Sequence, residues 1–256
     1  MSLQSVVAKV CLTVGVRPPS GQLFDPSDRT KAEFVNLANI MARRMALESF
    51  DWPEMIRTFT FVAPDPGGAT SFAMPNDYHR LLRNAAIFPN GSPTQPMSHI
   101  DDPELWMQNS LRGFYPAWGS WTLQPRDLSG GGLPNVYSTV QMAFNPALGP
   151  NQQVTFQYLC RMPVLNSDPV TPGNFSYGSQ FLAGTDEFVL GDDLLMYGMI
   201  WQWKAFKGAP YAEDIETYED ALAQRIGRAK PSPIVVPARR RGSYNASVYI
   251  PWGPLP

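Results

Sequence analysis

Hydrophobic and polar positions repeat with a helical period near both ends of the 256-residue chain. Near the N-terminus, apolar residues three and four apart predict helices over residues 2–14 and 28–49. Near the other end they predict helices over 188–207 and 211–229, joined by a turn at Lys207-Gly208-Ala209-Pro210. The helix before this turn is apolar on nearly every face, and the helix after it has one apolar stripe and a charged back. Such a pair needs a large core or neighbouring subunits to cover it.

Alternating apolar and polar residues predict a β-rich segment between the helical ends. The predicted strands are Ile56–Val62, 71–74, 78–88, 118–123, 136–144 and 154–161. A short helix is predicted over 103–110, with Asp101 and Asp102 at its head. Residues 163–186 are rich in Pro, Gly, Ser and Asn, which predicts a loop.

The predicted fold class is α+β, because helices at both chain ends each need a partner for their apolar face. We expect a four-helix bundle made from the N- and C-terminal helix pairs (1–52 and 187–230), a sandwich-like β-rich insertion (53–186) and an extended C-terminal arm (231–256). In the last two helices, the residues predicted to pack the bundle and its subunit contacts are Met196, Met199, Ile200, Trp201, Trp203, Phe206, Tyr211, Ile215, Tyr218 and Leu222.

Composition favours a surface that is covered by other molecules. Only 16% of residues are charged, against roughly 25% in ordinary domains, so something other than water is expected to cover much of the surface. The net charge of −2 gives no general attraction to nucleic acid or to an anionic membrane. The chain start is too short an apolar run for a membrane span and lacks a basic signal-peptide start, so a soluble protein made in a cytosol is expected.

The two cysteines, Cys11 and Cys160, lie in apolar patterns. Two buried free thiols in a reducing compartment are expected, and a disulfide between them stays open as the alternative.

No motif predicts catalysis, a metal or a cofactor. The only histidines, His79 and His99, have no second ligand at metal-binding spacing. The acidic pairs Asp101-Asp102, Asp192-Asp193 and Glu213-Asp214 all fall at predicted helix starts, where carboxylates serve the helix dipole. Neither a nucleophile elbow nor a phosphate loop is present in the sequence. We therefore expect a protein that is not an enzyme.

The C-terminal arm combines prolines, three consecutive arginines and apolar segments. It is too apolar for a solvated tail, so we expect it to dock on an acidic groove of a partner, with Val248-Tyr249-Ile250 able to add a strand to a sheet edge. The residues predicted to make these contacts are Ile234, Val235, Val236, Arg239, Arg240, Arg241, Tyr244, Val248, Tyr249, Ile250 and Trp252.

Three segments together resemble a known family. They are Phe50-Asp51-Trp52 after the N-terminal helices, the strand QVTFQYLCR at 153–161, and the helix pair with WQWKAFKG at 201–208 and PYAEDIETYE at 210–219. This set resembles the head-to-tail adaptor (connector) proteins of short-tailed bacteriophages, the group that includes tail tubular protein A. The resemblance covers most of residues 1–230 and is most specific in the helix pair, and nothing from the group transfers onto the arm.

The resemblance implies a structural protein of the virion, located at the head–tail junction and assembled in the host cytoplasm. Such proteins form dodecameric rings between the portal vertex and the tail, with helical bundles as the ring wall and C-terminal segments often on the portal protein. The β-rich part would point toward tail nozzle or tail fibre proteins. Genomic DNA would pass through the lumen without being read, and no membrane or cofactor is involved. The copy number follows from the resemblance alone.

Two alternatives of other classes stay open. A tail-associated glycan hydrolase would depend on Asp101 or Asp102. A DNA-binding module would bind phosphates through Arg239–Arg241.

A contact between neighbouring subunits is also open. The acidic back of the last helix either faces Arg43 and Arg44 of a neighbour or is simply solvated. It is formed by Glu213, Asp214, Glu216, Glu219 and Asp220.

Overall fold

The computed structural model describes residues 2–25, 28–82, 86–89, 96–113, 116, 119–125, 140–168 and 175–229. Within these ranges the chain forms five α-helices and eleven β-strands. The helices are α1 (Leu3–Thr13), α2 (Arg29–Arg44), α3 (Pro103–Arg112), α4 (Asp192–Lys207) and α5 (Ala212–Ala229). The strands are β1 (Ile56–Val62), β2 (Ala69–Ala73), β3 (Tyr78–Leu81), β4 (Phe88–Pro89), β5 (Ser98–His99), β6 (Ser120–Pro125), β7 (Val140–Leu148), β8 (Gln153–Cys160), β9 (Val164–Ser167), β10 (Phe175–Gly178) and β11 (Glu187–Phe188).

Acidic side chains stand at the starts of four of the five described helices, α2 to α5, as their positions in the sequence predict. The Asp28 carboxylate accepts a hydrogen bond from the backbone N–H of Thr30 (3.0 Å) at the start of α2. Asp102 likewise caps α3. The other two acidic pairs lie in the first turns of α4 and α5, which confirms that all three pairs head helices.

The predicted four-helix bundle is wrong. Helices α1, α2 and α5 each pack on α4, and in the described chain α1 and α2 do not form a pair with each other. The physical reason is the all-round apolar surface of α4, which offers a separate face to each neighbour. Its buried residues are Leu194, Leu195, Gly198, Met199, Ile200, Trp201 and Trp203. The fold is a β-rich α+β arrangement in which one central helix takes the place of two helix pairs.

The strands form three sheets. In the first sheet the order is β1-β8-β3, and β4 also pairs with β8. The second sheet has the order β2-β7-β6-β5, and the third has the order β10-β9-β11. All described pairings are antiparallel except that of β5 with β6.

The first two sheets pack face to face through aromatic side chains. Phe72 of β2 stacks on Phe61 of β1, with ring centroids 4.1 Å apart. Its ring also lies 6.0 Å from that of Phe156 on β8. These contacts form a sandwich core, since two apolar sheet faces bury each other in this way.

One loop prediction and one strand prediction are wrong. Residues 163–186 contain β9 and β10, where the sequence predicts a loop, and the predicted strand at 78–88 is divided into β3 and β4. The prediction of Ile56–Val62 is confirmed as β1.

The segment Phe50-Asp51-Trp52 connects the helices to the first sheet. Trp52 is fully buried, and its indole N–H donates to the carbonyl of Met45 (2.8 Å) in the π-helical turn that continues α2. Asp51 forms an ion pair with Arg80 of β3. This aromatic-acid-aromatic motif therefore has a structural role in the fold.

One cluster of buried apolar residues runs through α1, α2, α4, α5 and strands of all three sheets. Cys11 and Cys160 lie in it as buried free thiols, as expected, and the reducing compartment stays a prediction. No helix in the described ranges has both the length and the apolar character needed to cross a bilayer. The division into residues 1–52 with 187–230, 53–186 and 231–256 stays a prediction, and the arm lies outside the described residues.

Candidate assembly surface

The ten residues predicted to pack the last two helices divide into three groups. Met199, Ile200, Trp201, Trp203 and Tyr218 are buried, and Met196, Ile215 and Leu222 are half-buried against the core. Phe206 and Tyr211 are exposed, at 73% and 42%. Most of these apolar side chains of α4 and α5 are therefore covered within the chain. Of the ten, only Phe206 and Tyr211, which lie near the turn, are available to another molecule.

Helices α4 and α5 are held together by aromatic contacts and one ion pair near that turn. The ring of Trp201 lies 6.4 Å from Tyr211 and 6.0 Å from Tyr218. Tyr211 and Tyr218 are seven residues apart, so both project from one face of the helical segment. Lys204 Nζ donates to Asp214 Oδ2 (2.6 Å). The helix-pair motif thus fixes the first half of α5 on the second half of α4.

An apolar groove lies between α2 and α4, beside this turn. Its lining residues are Glu33, Asn36, Leu37, Ile40, Gln202, Trp203 and Phe206. Trp203 stacks on Phe34 of α2 with ring centroids 4.1 Å apart, which sets the separation of the two helices. This α2–α4 groove has a volume of 110 Å³. Small-molecule sites have roughly 300–1,000 Å³, so the groove suits the side chains of a protein segment better.

The rim of the α2–α4 groove carries a fixed pair of charges. Lys207 Nζ donates to Glu33 Oε2 (2.8 Å) and lies 4.6 Å from the centroid of the Trp203 ring. Arg29 donates to the other Glu33 oxygen (3.0 Å). Hydrogen bonds from Lys207 and then Arg29 lower the pKa of Glu33. The rim therefore keeps an ionised carboxylate beside an apolar floor.

Sequence reasoning missed the contribution of α2 to this surface. Ile40 stands outside the apolar stripe through Phe34, Leu37 and Met41, and it is 50% exposed. An isolated apolar residue on the polar face of a helix was the available signal. One such residue is common on protein surfaces, so its meaning depends on Phe206, which only the fold brings close.

The first half of α5 presents carboxylates that have no ion pair among the described residues. They are Glu213, Glu216, Glu219 and Asp220, and all are exposed. Like charges three and four apart on a helix repel one another by about 0.2–0.5 kcal/mol per pair. Arg44 lies over Trp201 of its own chain, at 5.5 Å from the ring centroid. A contact with Arg43 and Arg44 of a neighbour stays a prediction.

The two histidines and the residues of the arm are the remaining candidates from the sequence. The ring of His99 stacks on Trp121 (3.9 Å), and its Nδ1 lies 3.1 Å from Asp101 Oδ1. Desolvation by the surrounding protein, followed by the charge of Arg80, lowers the pKa of His79. In the described ranges no three His, Cys, Asp or Glu side chains lie close enough together to hold a metal ion. The predicted contact residues of the arm, from Ile234 to Trp252, lie outside the described residues.

A partly buried polar network at the end of β8 in the first sheet was also missed. Asp77 accepts hydrogen bonds from Tyr158 Oη (2.7 Å) and Cys160 Sγ (3.4 Å). Burial, reinforced by Asp77, raises the pKa of Tyr158. Burial raises the pKa of Cys160 to about 11, and Asp77 adds to this effect. The thiol is therefore protonated at neutral pH and is a poor nucleophile.

No protein-family model and no curated protein matches this chain. The adaptor resemblance therefore rests on the sequence segments quoted above, and the function that it implies is a proposal.

Proposed function

We propose that this protein is a head-to-tail adaptor of a short-tailed bacteriophage. The observation that carries the proposal is the helix pair with WQWKAFKG and PYAEDIETYE. Its residues pack α5 on α4 and leave Phe206 exposed beside an apolar groove. The motif thus stabilises the α4–α5 pair and leaves an apolar surface open at the same end. This combination suits a protein that binds other subunits.

Exposed apolar side chains elsewhere support assembly rather than catalysis. On α3, Met107 and Leu111 are four residues apart on one face and are 58% and 81% exposed. Only Trp106 of this helix is buried. Contacts with other virion proteins would cover such residues, and the low content of charged residues fits a chain that is covered in this way.

In this proposal several copies form a ring between the portal vertex and the tail. By resemblance the ring is a dodecamer. It provides the channel for genomic DNA, binds the portal protein above, and gives tail nozzle or tail fibre proteins a platform below. Recognition of DNA bases is not required of such a lumen, and the work of the protein is structural.

Co-expression with the portal protein of the same genome tests the proposal. We expect capture of a tagged portal protein to retain several copies of this chain per portal ring. A chain that never co-purifies with the portal protein would contradict the proposal. Deleting residues 231–256 tests the portal-binding role of the arm separately. Unchanged binding to the portal protein would show that the arm has no such role, and the adaptor function would still stand.

A further inference from the structure

The helix pair has two chemically different ends. The α2–α4 groove and the acidic half of α5 lie at the turn end, where Lys204 meets Asp214. Helix α5 ends at Ala229 at the opposite end, where Arg228 lines the same cavity as Asp192 at the start of α4. Since α5 has 18 residues, about 27 Å of helix separates the two ends, at about 1.5 Å per residue.

The segment that follows α5, residues 230–256, is complementary in charge to the rest of the chain. It contains four of the 20 Lys and Arg residues and none of the 22 Asp and Glu residues. Its net charge is therefore +4, and residues 1–229 carry 16 basic and 22 acidic residues, or −6. The acidic half of α5 offers carboxylates that have no ion pair among the described residues, at the same end of the helix pair as the groove, so the opposite charges have a place to meet.

The segment is also complementary in its apolar content and its length. Ile234-Val235-Val236 and Val248-Tyr249-Ile250 flank the arginines, and the groove at the turn end supplies an apolar floor. The 27 residues of the segment reach up to about 90 Å, at about 3.3 Å per residue. That length is ample for contact with an adjacent molecule.

We propose that residues 230–256 of one copy bind the α2–α4 groove of the next copy, with Arg239–Arg241 on the acidic half of α5. Binding to the neighbour is favoured because the segment starts at the end of α5 farthest from its own groove and would have to run back along the whole helix pair to reach that groove. Separate donor and acceptor surfaces make a heterologous contact, the kind that closes into a ring. The inference rests on the proposed function, because it names the contact that joins ring subunits.

Photo-crosslinking in the full-length chain tests this contact. Benzoylphenylalanine replaces Phe206, which is 73% exposed, in copies grown with heavy isotopes, and these are mixed with unlabelled copies before assembly. We expect mass spectrometry to show crosslinks from position 206 of one copy to residues 230–256 of another. The matched control places the photoreactive residue at Leu111 of α3, which is 81% exposed and does not line the groove, and there such crosslinks should be absent.

Charge and apolar contacts are tested separately by two variants. Combined Arg239→Ala, Arg240→Ala and Arg241→Ala substitutions should lower the crosslink yield several-fold and weaken its salt dependence. Ile40→Asp should lower the yield without removing the arginines.

The inference would be overturned by crosslinks within one copy, by crosslinks only to the portal protein or to another surface of the neighbour, or by the absence of crosslinks. Rings that form without the crosslink would overturn it and leave the adaptor function intact, whereas crosslinked copies that never bind the portal protein would support the contact and contradict the adaptor function.

Discussion

Asp186 is a buried carboxylate that joins three parts of the chain. Its two oxygens accept hydrogen bonds from the backbone N–H groups of Ser167 (3.0 Å), Leu182 (2.7 Å) and Ala183 (2.8 Å). Its own backbone carbonyl accepts from Leu3 (2.8 Å) at the start of α1. A buried carboxylate is tolerated only with such a set of donors. Nothing in the sequence marks Asp186, because it stands in a Gly- and Ser-rich stretch typical of a loop.

Asp186→Asn should destabilise the fold by about 2–4 kcal/mol, because the amide cannot accept on both sides and would set an N–H₂ group against backbone donors. Asp220→Asn makes the same chemical change at an exposed position and should change stability by less than about 0.5 kcal/mol. Urea unfolding of both variants measures the difference. Equal midpoints for the two variants would show that Asp186 contributes no such stabilisation.

Gly68→Ala should destabilise the turn between β1 and β2 by about 2 kcal/mol or more. Gly68 has φ 69°, and a Cβ there would overlap the carbonyl oxygen of Leu148. Gly227→Ala is the control, because that glycine lies in α5 with open space around it. The control should stabilise by up to about 1 kcal/mol. Thermal unfolding compares the two variants, and a Gly68→Ala protein as stable as the wild type would contradict the overlap.

Cys160 should make stability fall in alkaline solution. Its pKa in the fold is about 11, above the model-compound value of 9.0. Between these two values the unfolded chain loses the thiol proton and the folded chain keeps it, so the free energy of unfolding decreases as pH rises. Below pH 9 this contribution is fully present. Denaturant midpoints of wild type and Cys160→Ala at pH 8, 9 and 10 measure the effect, and parallel curves for the two proteins would refute it.

At the scale of elements, the sequence predicts most helices and the clearest strands. Apolar spacing identifies α1, α2, α4 and α5 because each has a stripe or an all-round apolar surface, and alternation identifies β1 and β8. The sequence pattern does not reveal the short strands β9 and β10, because they lie among Pro, Gly and Ser residues that are typical of a loop. The bundle prediction fails because a pattern shows which face needs cover and does not show which element covers it.

The same limit applies to the candidate surface. Trp203 and Phe206 are aromatic residues three apart on α4, and periodicity treats them alike. In the fold, Phe34 of α2 stacks on Trp203, which is buried, whereas Phe206 lies at the groove and stays exposed. The groove can be found only after α2 and α4 have been placed side by side.

Trp203→Ala and Phe206→Ala should therefore differ sharply in stability. Loss of the buried Trp203 ring should cost about 3–5 kcal/mol, because it leaves a cavity against α2. Loss of Phe206, which is 73% exposed, should cost less than about 0.5 kcal/mol while weakening assembly. Urea unfolding of the dilute protein, read beside its sedimentation at high concentration, separates the two effects. A large loss of folding stability in Phe206→Ala would place that residue in the core instead.

At the scale of the whole molecule, the unusual features all concern surface that a single chain does not cover. The groove between α2 and α4, the carboxylates of α5 and the exposed face of α3 lie on helices. The arm is basic, whereas the exposed first half of α5 is acidic. Ring assembly between a portal and a tail would cover such surfaces, and it requires neither a metal nor a catalytic group.

Electron microscopy of the full-length protein mixed with its portal protein is the most direct measurement. We expect averaged images to show a closed ring of this chain, coaxial with the portal ring and continuous with its channel. Its mass should be many times the 28.5 kDa of one copy. A protein that remains as single chains in the presence of its portal protein would contradict the adaptor function.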